Sequence, residues 1–123
     1  MIRSLGIPVE VLDLPLSPER ARKAGKIDME ASGYRRPKSS VSIICWNADV
    51  LPRIVPELPR EIFEDRFIVG IWYWETEILP EEHVRGFDYV DEVWVTSKFL
   101  KETIARNAPV PVRYLPHFIR LPQ

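Results

Sequence analysis

The chain has 123 residues, 46% of them hydrophobic and 28% charged, which suits one folded domain with a real core and is too little for two large ones. Its 17 basic and 18 acidic side chains leave a net charge of -1, so no overall basic field is present to hold nucleic acid or an anionic membrane. Cys45 is the single cysteine, which excludes an internal disulfide and makes a reducing, intracellular setting the default. No apolar run approaches the roughly 18 residues needed to span a bilayer.

Residues 9–14 alternate apolar and polar side chains and predict a short strand. Ser17, Pro18 and Glu19 then carry a helix start: a capping hydroxyl, a proline suited to the first helical position, and an acid at the positive end of the dipole. Gly25 is expected to end that short helix. Residues 26–39 are polar, contain Gly33 and Pro37, and read as a loop. Within it Arg35, Arg36 and Lys38 cluster beside Tyr34, as a solvated face or as a contact for a phosphate or lipid headgroup. Residues 40–46 predict a second strand, apolar on both faces as in a covered sheet, with Cys45 inside it as a buried, inert thiol.

Pro52, Pro56 and Pro59 prevent a long helix between residues 47 and 65 but allow one or two turns. Residues 66–74 are β-branched and aromatic and give the strongest strand signal. Residues 80–85 suit a helical turn closed by Gly86. Residues 89–95 lead into a fourth strand, where Asp91 and Glu92 are expected to start the strand and to hold a neighbouring backbone group or an arginine. Ser97 caps a helix from Lys98 to about Arg106, with Leu100 and Ile104 on one face. Residues 110–115 form a fifth strand, whose Pro111 suits an edge or a strand start. Strands separated by helical or loop segments predict an α/β fold: a mostly parallel sheet with flanking helices.

Several catalytic patterns are absent. The 5 glycines are too scattered for a dinucleotide fingerprint or a P-loop. His83 and His117 with one cysteine make no zinc pattern, so no metal site is expected. There is no Gly-x-Ser-x-Gly elbow.

Three segments nevertheless form a recognisable series. They are Val69-Gly70-Ile71-Trp72-Tyr73-Trp74-Glu75-Thr76-Glu77 with Pro80 following, Phe87-Asp88-Tyr89-Val90-Asp91-Glu92-Val93-Trp94-Val95-Thr96-Ser97-Lys98-Phe99, and Val110-Pro111-Val112-Arg113-Tyr114-Leu115-Pro116-His117. In this order and spacing they resemble the second half of the N-terminal, acceptor-side domain of family 4-like glycosyltransferases of the GT-B class. The resemblance covers residues 40–117 and is weaker before Ser40. It implies that residues 1–123 are one partial Rossmann-like domain whose first strand and glycine-rich turn are missing. It also implies that a second Rossmann-like domain, which grips the nucleotide-sugar, belongs after Pro116 and His117. That grip usually uses two glutamates eight residues apart, and no glutamate here has another glutamate eight residues on.

The expected whole enzyme moves a sugar from a nucleotide-sugar to a glycan or lipid acceptor, without metal or other cofactor, in the cytoplasm or at the membrane periphery. The chain alone is expected to be inactive. In the family order the missing first strand would lie between residues 9–14 and 67–72. That gap is expected to be closed by direct pairing of those segments or filled by another chain, giving a homo-oligomer across an exposed sheet edge. The competing readings are a non-catalytic Rossmann-like binding module and a flavodoxin-like small-molecule enzyme.

The resemblance places five candidates at the interdomain cleft. Glu75 follows the third strand at its carboxyl end, where ligands gather in open α/β sheets. It is the catalytic candidate, to bind a hydroxyl or move its proton, or else it caps a turn or pairs with an arginine. Trp74 stacks on a sugar or, like Trp72, packs in the core. Asn47 ends the second strand at the same edge. Ser97 is a helix N-cap whose neighbouring N–H groups can also hold an anion. His117 contacts the cleft or packs as a satisfied histidine.

Overall fold

The computed structural model describes residues 5–12 and 39–117. Four strands, β1 Val41–Ile44, β2 Phe67–Ile71, β3 Glu92–Val95 and β4 Val112–Tyr114, form one sheet in the order β1-β2-β3-β4. Every adjacent pair is parallel. Among the described residues three α-helices, α1 Leu51–Ile54, α2 Glu81–Val84 and α3 Lys98–Ala105, lie in the connections, with 3-10 turns at Val55–Glu57, Arg60–Ile62 and Arg85–Tyr89. The fold is α/β and Rossmann-like.

The proline-rich connection between β1 and β2 behaves as its composition demands. Pro52 sits in the first turn of α1, where its missing N–H has no intrahelical partner to lose, and Pro56 starts a 3-10 turn. Helix α3 is the regular one. Ser97 Oγ accepts a hydrogen bond from the Leu100 N–H at 3.1 Å, and Leu100 and Ile104 are buried together on the face toward the sheet.

One sheet face carries Ile68, Gly70, Val93 and Val95, and on it the core forms with Leu51, Phe87, Leu100 and Ile104. Trp72 continues that face beyond β2 and is 1% exposed, its ring 4.8 Å from that of Phe87. Gly70 has a steric reason to be glycine: a Cβ there would lie 2.6 Å from Trp72 Nε1 and 3.1 Å from Val90 Cγ1. On the opposite face Val41, Ile43 and Phe67 remain 44%, 43% and 46% exposed.

Several expectations need correction. Residues 9–12 form no strand, and residues 13 and 14 lie outside the described residues, as do the helix expected over 17–25, most of the loop after it and its basic cluster. The described sheet therefore has four strands where five were expected. The pairing expected between residues 9–14 and 67–72 is not made by the described part: β2 has β1 on one side and β3 on the other. β1 is not covered on both faces, because it is an edge strand of the described sheet with alternate side chains open. Cys45 falls on that open alternation, just past the paired stretch, and is exposed. Gly86 does not end a helical turn but lies inside the 3-10 segment after α2, where a Cβ would come within 2.6 Å of both Cβ and O of Ala48. That close approach of two backbones requires glycine.

Candidate cleft at the carboxyl edge of the sheet

Because all four strands run parallel, their carboxyl ends share one edge. The chain leaves β1 into Asn47, β2 into Tyr73, Trp74 and Glu75, β3 into Ser97, and β4 into His117. The five sequence candidates thus stand along a single rim.

Direct contacts link part of this rim. Asn47 Oδ1 accepts a hydrogen bond from the Tyr73 N–H at 2.8 Å, tying the end of β1 to the end of β2. The ring of Tyr73, 45% exposed, lies near that of His117, with centroids 6.3 Å apart and planes 14° from parallel. Since β3 lies between β2 and β4, this pair reaches across the end of β3, where Ser97 starts its helix. Asn47, Tyr73 and His117 form one connected run that Tyr73 centres, and Tyr73 was not among the sequence candidates.

Trp74 turns the other way. Its Nε1 donates to the Ile78 carbonyl at 2.8 Å, and Thr76 Oγ1 donates to the same oxygen at 3.2 Å, so residues 74–78 close into a tight loop. The Trp74 ring meets His83 edge-on, with centroids 4.2 Å apart and planes at 60°. Glu75 stands out of this loop, exposed, without a hydrogen bond or ion pair among the described residues. Among the described residues it neither caps a turn nor pairs with an arginine.

His83 and Asp49 were missed from the sequence. His83 is 3% exposed, and neither ring nitrogen has a hydrogen-bond partner among the described residues. Asp49 Oδ1 lies 3.6 Å from Nε2, close enough for an ion pair were the ring protonated but too long for a hydrogen bond. The available signal was weak: Asp49 follows Asn47 by two positions, and Pro80 starts the helix that turns His83 inward.

The paired carboxylates at the opposite, amino edge are structural, as expected. Asp91 Oδ2 accepts from the Ile68 N–H at 2.7 Å. Glu92, 7% exposed, pairs with Arg113 and accepts from Trp94 Nε1 at 2.6 Å. A cavity of about 280 Å³ opens at this edge, lined by Phe63, Arg66, Asp88, Tyr89 and Asp91 among others. Two of its polar groups are engaged: Asp91 as above, and Arg66 Nη1, which donates to Ser42 Oγ at 3.3 Å. The carboxyl edge, where Tyr73 is exposed and Glu75 has no partner among the described residues, is the better candidate for chemistry because ligands gather at that edge of open α/β sheets.

Among the described residues no group of three or more His, Cys, Asp or Glu side chains is placed to hold a metal ion. No helix among them is long and apolar enough to cross a membrane. No family model, curated protein or solved structure matches the chain.

Proposed function

We propose that this chain is the acceptor-side domain of a glycosyltransferase that moves a sugar from a nucleotide-sugar to a glycan or lipid acceptor. The observation that carries the reading is the position of Glu75: an exposed carboxylate with no partner among the described residues, directly after Trp74 at the carboxyl end of a parallel sheet. The three segments that resemble family 4-like glycosyltransferases all deliver their last residues to that same edge. In this reading a second domain binds the donor, and the acceptor lies along Tyr73 and Glu75.

The chemistry asked of this domain is modest. The acceptor hydroxyl oxygen bonds to the anomeric carbon as the bond from that carbon to the nucleoside diphosphate breaks. Glu75 accepts the hydroxyl proton, or the hydrogen bond that precedes its loss. Tyr73 offers a ring face to the apolar side of a sugar, its backbone fixed by Asn47 and its ring flanked by His117. The enzyme would work in the cytoplasm, at the membrane periphery when the acceptor is a lipid. The edge of β1 that pairs with no other described strand is where a second copy would pair.

The second reading is a non-catalytic binding module. It is favoured by Asn47 and Ser97, whose side chains are committed to the Tyr73 and Leu100 N–H groups. Backbone amide spectra of the labelled chain, titrated with methyl glycosides of common hexoses, test whether sugar binds this edge. The expected result is shifts at Tyr73, Glu75 and His117 with none at Arg66 or Asp91. Shifts confined to the amino edge, or none at all, would remove the acceptor reading.

A further inference from the structure

We propose that Asp49, oriented by the buried imidazole of His83, is a second hydroxyl-binding carboxylate at this edge. The proposal rests on the acceptor reading above and extends it to two residues that the resemblance does not involve.

The starting point is an unsatisfied group. A neutral imidazole carries one N–H donor and one lone pair, and buried polar groups in folded proteins almost always find partners. His83 is 3% exposed and has none at either nitrogen. A histidine kept only for packing would be expected to use its nitrogens on nearby backbone. Here the polar atom near Nε2 is Asp49 Oδ1 at 3.6 Å, and the proposal requires the two to close to hydrogen-bond length. The Trp74 ring lies edge-on against the imidazole, and its own N–H is spent on Ile78.

Asp49 faces both ways. Its side chain is 30% exposed while that of His83 is 4% exposed, so one carboxylate oxygen can accept from Nε2–H and the other remains open to solvent. Asp49 sits in the turn closed by the Val50 N–H bond to the Asn47 carbonyl at 3.1 Å, which places it beside the end of β1 on the cleft rim. A carboxylate is acceptor-only, and a sugar hydroxyl is a donor. Glu75 after β2 and Asp49 after β1 would then contact different hydroxyls of one acceptor. His83 touches no ligand in this arrangement. It is a positioning residue, restricting the carboxylate to the rotamer that points outward.

The test uses the full chain and methyl glycosides of glucose, galactose and mannose as probes. Asp49→Asn should move both ring nitrogen resonances of His83 in long-range proton–nitrogen spectra, and should abolish glycoside shifts at Asn47 and Asp49. His83→Phe keeps an aromatic ring against Trp74 but removes the nitrogens. It should melt no lower than the wild type and bind glycoside about tenfold more weakly, the loss expected for a misdirected hydrogen bond to a charged group. His83→Gln, which keeps an N–H donor, should restore most of the binding. Unmoved His83 nitrogens in Asp49→Asn, or wild-type glycoside affinity in Asp49→Asn or His83→Phe, would overturn the proposal. Should His83→Phe not fold, Asp49→Asn and His83→Gln decide the matter. Glycoside shifts at Asn47 and residue 49 that survive Asp49→Asn, beside those at Tyr73 and Glu75, would overturn this inference and leave the acceptor reading standing. No shift along the edge in the wild type would remove both.

Discussion

At Gly70 a methyl group has no space. The indole of Trp72 folds back over the strand and occupies it, with Val90 closing the other side. Both neighbours belong to the packed core, so Gly70→Ala forces either the indole or the strand to move. Overpacking of this kind typically costs about 1–3 kcal/mol. Urea unfolding of the variant should show that loss, and a change below about 0.5 kcal/mol, the range of a surface substitution, would show that the Trp72 ring is not held where it is placed. The Gly70 and Trp72 pair thus has a packing reason independent of any role at the cleft. Other residues were legible for similar local reasons. Asp91 and Glu92 stand at the start of a strand, and acids there find a neighbouring backbone N–H or an arginine, as Asp91 and Glu92 respectively do. Cys45 was misjudged because an apolar run does not reveal which of its alternate positions is left open. Asp49 and His83 were illegible because nothing in either local segment announces the other; only the fold brings the two connections together.

At the scale of elements, α3 was the most legible because several signals coincide there. Ser97 caps it, Leu100 and Ile104 share its buried face, and it spans Lys98–Ala105 much as its pattern required. Ser97→Ala removes the acceptor for the Leu100 N–H and should cost about 1 kcal/mol. The same variant also separates two roles, because it leaves the backbone N–H groups of the helix start in place. A loss beyond about 2 kcal/mol in thermal or urea unfolding would mean that Ser97 does more than cap. The strands β2 and β3 were equally plain from their β-branched and aromatic content. What composition could not supply was coverage. β1 reads like a buried strand, yet its place at one edge of the described sheet leaves Val41 and Ile43 open. Gly86 resembled a helix stop, and its actual constraint, the backbone of Ala48, lies on a different connection.

For the whole molecule, the decisive property is that every described strand points the same way. Parallel order is what turns residues scattered from Asn47 to His117 into one rim, with the structural carboxylates Asp91 and Glu92 at the other end. The class of fold was readable from alternating strands and helical connections; the neighbour of β2 was not, because pairing order depends on contacts beyond any one segment. Within that rim Asn47 and Ser97 hold backbone groups, Trp74 closes a loop, and Glu75 is left exposed and, among the described residues, unpaired. The central claim is that this carboxylate acts on an acceptor hydroxyl during glycosyl transfer. Its most direct test is kcat/KM for Glu75→Gln, measured beside a melting curve, in the chain joined to a nucleotide-sugar-binding domain that makes it active. Glutamine keeps the size and one acceptor oxygen, so the melting temperature should not change, while kcat/KM should fall by about 100-fold or more, roughly 3 kcal/mol of transition-state stabilisation. A kcat/KM close to that of the unsubstituted enzyme, or a loss of activity matched by a collapse in melting temperature, would contradict the claim.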